Sequence, residues 1–264
     1  MNAQSLLCLV LTLIITSCES ENAKPTDPKN AFLAAREEYD RENYDLSLSS
    51  LAEFKTRFPY SQYAIEAELM LADANFHLER YPEAAASFEH FISLHPRHEK
   101  TPYAHYQVGH SYWAQAPESV DREQELTEHA IKAWSLLLLE YPDNEWAKKA
   151  RHLVLTGEER IAKNEAVAAT FYCEQEVWHA CAYRSLYVAE NFARFQSVAS
   201  KAAAQAADAF EHLADERAVI KDDKKARDSN LFFRHMTPQQ LRDKANQMRK
   251  IQAKIDTSDK QHPA

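Results

Sequence analysis

The stretch YPEAAASFEHFISLHP, residues 81–96, reads as an amphipathic helix stopped by a proline. The same phrase starts 37 residues earlier as YDLSLSSLAEFKTRFP (44–59) and 46 residues later as TEHAIKAWSLLLLEYP (127–142). Aligned on Pro59, Pro96 and Pro142, the copies place Ser47, Ala84 and Ala130 in one column. Leu51, Phe88 and Trp134 follow four residues on, and Phe54, Phe91 and Leu137 three further. A small residue and two large apolar ones at that spacing share one helical face. A second helix precedes each copy, marked by Ala35, Ala72 and Gly109 at intervals of 37 residues, where a small side chain lets two helices approach closely. A weaker fourth copy, VWHACAYRSLYVAENF (177–192), puts Cys181 in the small column and Val188 in the last apolar one, with Trp178 in the column of Tyr44, Tyr81 and Thr127, and ends without proline. The phrase recurs because each hairpin buries its apolar face only against its neighbours.

Helical hairpins repeating at this period resemble the tetratricopeptide repeat. The fold expected is therefore all-α, a tetratricopeptide-like helical-hairpin solenoid of about five repeats. Composition agrees: the 264 residues include two glycines, Gly109 and Gly157, too few for the turns of a β-rich fold. The repeats are uneven. An insertion at 114–126 lengthens the third unit, and a long helix is expected over 145–172. A fifth helix group opens at ASKAAAQAADAFEHLADERA, a charged connector occupies 219–230, and Thr237-Pro238 read as N-cap and N1 of a last helix ending near Ile255.

The first residues are not part of that fold. SLLCLVLTLIITSC is an apolar run of signal-peptide length, too short for a secure membrane span. Its end, Ile15-Thr16-Ser17-Cys18, resembles the bacterial lipobox, which makes Cys18 the lipidated N-terminus of the mature chain. The segmentation expected is a signal at 1–17, a lipid-anchored flexible linker at 18–30 and N-terminal repeats at 31–143. The long helix and C-terminal repeats follow at 144–255, then a tail at 256–264. Glu19 after the cysteine, where inner-membrane retention uses aspartate, favours the outer membrane, with the chain anchored on its periplasmic face. Cys173 and Cys181 pair as a disulfide or stand as two buried thiols on successive helices; their spacing leaves both open.

Searches for chemistry return little. His90, His95, His98, His105 and His110 fall on different helices and faces without ligand spacing, so no metal site is expected. Two isolated glycines exclude a phosphate-cradling loop, and no catalytic constellation or cofactor motif is present. The net charge of −9, with no long basic patch, speaks against nucleic acid. What remains is a binding surface. Counted from Ala35, Ala72 and Gly109, the inward positions are Phe32, Arg36 and Tyr39; Leu69, Asp73 and Phe76; and Tyr103, Tyr106, His110 and Trp113. These form an aromatic trough suited to a peptide, with Arg36 placed to hold a carboxylate and Phe32 and Trp113 cementing neighbouring hairpins.

The signal, the tether and the phrases RFPYSQYAIEAELMLADANF, YPEAAASFEHFISLHPRHEKTPYAHYQVGHSYW and LLLLEYPDNEWAKKARH, with DRE (121–123) in the insertion, resemble the BamD family of β-barrel assembly lipoproteins. The resemblance covers about residues 31–195 and thins beyond. It implies a non-catalytic scaffold that binds a POTRA domain of a BamA-type protein, unfolded outer-membrane proteins and, in some members, other assembly lipoproteins. It also implies that Arg184, in CAYRSLY, pairs with an acidic POTRA residue. A pilotin-like lipoprotein that escorts secretin or pilus subunits is the alternative; it would share the anchor and repeats.

Overall fold

The computed structural model describes residues 26–219, 233 and 235–261. Cys18, the signal and most of the charged connector lie outside them. Among the described residues there are ten helices and no strand: α1 (Pro28–Asp40), α2 (Tyr44–Arg57), α3 (Ala64–His77), α4 (Tyr81–Leu94), α5 (Thr101–Gln115), α6 (Glu125–Glu140), α7 (Glu145–Glu174), α8 (Trp178–Asn191), α9 (Gln196–Val219) and α10 (Pro238–Gln261). In chain order they make five successive pairs, the all-α tetratricopeptide-like class read from the repeat. The described residues divide into two compact units, one ending at Glu79 and the other beginning at Arg80.

The proline that closes each phrase imposes one backbone geometry three times. Phe58, His95 and Tyr141 cap α2, α4 and α6 at φ −132°, −126° and −133°, with ψ of 53°, 54° and 53°. A residue before proline is driven out of the helical region, so each helix stops one residue short of it. Each cap N–H still reaches back four residues, to the carbonyls of Phe54, Phe91 and Leu137. Where Ala193 replaces proline, Phe192 ends α8 more loosely, at φ −117° and ψ 30°.

The three-residue links that follow α1, α3 and α7 solve the shortage of glycine differently. Glu42, Glu79 and Glu176 take the left-handed conformation, at φ 64°, 58° and 56°, just past the ends of α1, α3 and α7. Glycine is the residue that usually fills this position. After α1 and α7 the following N–H groups close the helix end, Asn43 to Glu38 O (2.9 Å) and Val177 to Tyr172 O (3.0 Å).

In the first unit α1, α2 and α3 enclose Phe32, Ala35, Leu51, Phe54 and Ala67. The Ser47 hydroxyl donates to Ala35 O at 2.9 Å, which satisfies the polar member of the small-residue column inside the core. In the second unit consecutive helices pack in hairpins, and α5 also meets α7, as α7 meets α9. Trp134 is fully buried there, and its indole N–H donates to Tyr106 O at 3.1 Å. A Cβ on Gly109 would lie 2.5 Å from Trp134 Cε2 and nearer still to Nε1 and Cδ1, so the indole fits because that position is glycine.

The last pair is rich in alanine. Ala206, Ala207, Ala209 and Ala214 of α9 pack with Phe210 and Leu213 against Leu241, Ala245 and Met248 of α10. Thr237 and Gln240 form a reciprocal cap: Gln240 N–H donates to Thr237 Oγ1 (3.2 Å) and Thr237 N–H to Gln240 Oε1 (2.8 Å). α10 continues to Gln261, past the Ile255 at which the apolar pattern stops. No proline or glycine falls between Ile255 and Gln261 to stop it sooner, and the Thr257 hydroxyl donates back to Ala253 O.

Candidate partner-binding surfaces

In the first unit the predicted inward positions divide between core and surface. Phe32 is core, stacked on Tyr63 at 5.0 Å and tilted against Phe54. Leu69 and Phe76 are half-buried, and Asp73 is almost fully so. Tyr39 stands edge-on to Tyr44 and His77. Burial, reinforced by the Asp73 charge, pushes its hydroxyl pKa well up and keeps it a neutral hydrogen-bonding group. Arg36 does not wait with an open hand: its guanidinium meets Glu66 of α3 at 3.1 Å and Asp40 at 3.9 Å. An incoming carboxylate would have to exchange with Glu66.

In the second unit the α5 stripe meets the first turns of α7. Tyr103 and Tyr106 both pack on Trp146, with ring centres 4.9 and 5.0 Å away. His110 lies between Tyr106 (4.5 Å) and Trp134 (5.5 Å), its buried Nε2 without a hydrogen-bond partner among the described residues. Burial lowers its pKa, so the ring is neutral near pH 7. The Arg160 guanidinium covers Trp113 at 3.8 Å. Trp146 was absent from the sequence-derived site; its signal was the Asn144 N-cap, whose Oδ1 accepts from Trp146 N–H and fixes where α7 begins.

Arg184 extends from α8 to Glu165 of α7 at 3.2 Å, with the Tyr172 ring at 5.7 Å. Its side chain keeps 39% of its surface exposed, so the pair sits at the surface and an acidic partner can compete for it. One turn before it, Cys181 joins Cys173 in a disulfide that ties the end of α7 to the start of α8, with Cα atoms 4.8 Å apart. This settles the alternative that spacing left open. Tyr183 and Tyr187 flank Arg184 on α8 and are exposed. Among the described residues no cluster of three or more His, Cys, Asp or Glu is arranged to hold a metal. No described helix is long and apolar enough to cross a membrane.

Successive helical hairpins of this kind define an all-α protein of the tetratricopeptide-like class. The outer membrane lipoprotein model YfiO matches residues 24–226, and the chain belongs to that family. It is 25% identical over 176 residues to the outer membrane protein assembly factor BamD of Caulobacter vibrioides, an alignment covering 64% of this chain and 57% of that protein. To the assembly factors BamD of Vibrio cholerae and Neisseria gonorrhoeae it is 24% and 23% identical, over 67% and 68% of this chain and 78% and 74% of theirs.

Proposed function

We propose that this chain is a lipid-anchored scaffold for assembling outer-membrane β-barrel proteins, held by Cys18 at the periplasmic face of the outer membrane. The observation that carries the reading is the family match, which spans both units and four of the five helix pairs. In this reading α8 binds a POTRA domain of a BamA-type protein, with an acidic residue of that domain displacing Glu165 from Arg184. The first helices of the N-terminal repeats, with Arg36, Tyr39, Leu69, Asp73 and Phe76 on one unit and Tyr103, Tyr106 and His110 on the other, receive unfolded outer-membrane proteins. Other assembly lipoproteins join the same complex. The exposed pair geometry of Arg184 supports its part in this, because exchanging one surface carboxylate for another costs little.

The test is capture of partners from detergent-solubilised envelopes on the tagged full chain, read by mass spectrometry. Recovery of a POTRA-bearing barrel protein is the expected result. Recovery of a secretin or pilus subunit in its place would overturn the reading and favour the pilotin alternative. Arg184→Gln should weaken that capture about tenfold while leaving the thermal transition in place, and Glu165→Gln should leave capture intact or stronger. Equal capture by wild type and Arg184→Gln removes Arg184 from the interface.

A further inference from the structure

An open trough of about 560 Å³ lies between α7 and α9, with Val120 of the loop between α5 and α6 at its rim. Asn164 of α7 pins that loop by donating to Val120 O at 2.7 Å and Arg122 O at 3.0 Å. Val167 and Phe171 form one wall and remain 42% and 55% exposed, side by side on successive turns of α7. Val198 and Ala202 of α9 face them, and Gln205 bonds Thr170 at 3.0 Å across the floor. α9 buries its other faces against α8 and α10, so the trough is what the fifth pair leaves uncovered.

The charges on the walls are not random. Lys163 and Lys201 stand toward the α9 N-terminus, and Glu174 lies at the far end of the α7 wall. Lys163 is paired with Glu159 at 2.7 Å. Lys201 has no carboxylate within ion-pair distance among the described residues, and it sits near the positive end of the α9 dipole. The α7 wall from Lys163 to Glu174 rises about 16 Å, or three helical turns.

We infer that this trough is the docking site for an amphipathic helix of a partner protein. The helix lies antiparallel to α9, inserts apolar side chains at i, i+4 and i+7 between Val167, Phe171 and Val198, and brings acidic residues of its last turn to Lys201. A groove between two parallel helices accepts a third helix in this way, and the antiparallel direction sets its negative end against the cationic end of the trough. The site is separate from Arg184, and the inference stands whether or not that residue binds a POTRA domain.

The experiment uses the purified full chain and a fluorescent alanine-based peptide of about 14 residues with leucines at i, i+4 and i+7 and glutamates in its last turn. Anisotropy should report saturable binding. Phe171→Asp should weaken it about tenfold or more. Lys201→Glu should also weaken it, and should improve binding of a matched peptide whose last turn carries lysines. Both positions are exposed, and an unchanged thermal transition in either variant certifies folding. Equal affinity for the glutamate and lysine peptides overturns the proposed orientation. A proline-interrupted peptide that binds as tightly overturns the helical occupant. Self-association of the chain that disappears in Phe171→Asp shows that a second copy fills the trough, and also overturns it.

Discussion

Replacing Gly109 by alanine adds one methyl group, and the structure says where it goes: into the Trp134 indole, 2.5 Å from Cε2 and closer to Nε1. Ordinary contact needs about an ångström more, so the indole must shift inside a core where it is fully buried. Overpacking of this kind costs about 1–3 kcal/mol. The shift also pulls the indole N–H from Tyr106 O, and a buried donor without a partner costs about 1–3 kcal/mol. Alanine returns about 1 kcal/mol through its helix propensity. The net expectation is a loss of about 3 kcal/mol, or a fall of about 6–12 °C in the transition of a unit this size. Calorimetry of Gly109→Ala in the wild-type and Trp134→Leu backgrounds separates the causes. With leucine at 134 both the collision and the donor disappear, and Gly109→Ala should become neutral or stabilising. If alanine costs as much beside leucine as beside tryptophan, the indole is not the reason for the glycine, and the reasoning fails.

Two further outcomes follow from buried groups. Closing a loop between residues eight apart, the Cys173–Cys181 bridge contributes about 2.5 kcal/mol by restricting the unfolded chain; a Cys173→Ser/Cys181→Ala chain should melt about 5–10 °C lower, and an unchanged transition in reductant would contradict this. His105 and His110 both have pKa values held below the ordinary 6.5 by burial, with Glu140 partly offsetting the effect at His105. The unfolded chain therefore binds the protons first, so their contribution is complete above about pH 6.5 and is lost as pH falls through the folded-state values. Urea unfolding of His110→Phe at several pH values should show a shallower decline below pH 6.5 than wild type, and an identical slope would refute the assignment.

The fold was legible because proline and side-chain size carry the repeat. All three small–large–large columns are buried in the structure, from Ser47, Ala84 and Ala130 through Leu51, Phe88 and Trp134 to Phe54, Phe91 and Leu137. The turns between paired helices were not legible. Glutamate has no preference for positive φ, and only the closure of a three-residue link between packed helices forces Glu42 and Glu176 there. The disulfide was also beyond spacing alone, because it depends on that same link reversing the chain so that the last turn of α7 faces the first turn of α8.

The site was harder to read because register along a helix gives direction, whereas access depends on what the neighbouring pair brings. Counting from Gly109 puts Tyr103, Tyr106, His110 and Trp113 on one face of α5, but residues far along the chain, Trp146 and Arg160, lie over that face. Counting from Ala35 finds Arg36, but its availability is set by Glu66, thirty residues on. The same logic works in reverse for Lys201. Nothing in the local sequence around it suggests a site, and its interest arises because α7, at thirty residues, carries Val167 and Phe171 beyond the reach of the repeat register, beside a cation that no carboxylate among the described residues pairs. Covering the exposed half of each of those two side chains would contribute about half of the roughly 1.5–3 kcal/mol of full burial, whereas the lysine mainly selects the partner's direction. On this division of labour, Phe171→Asp should weaken docking of either peptide about tenfold or more, and Lys201→Glu should exchange which peptide is preferred.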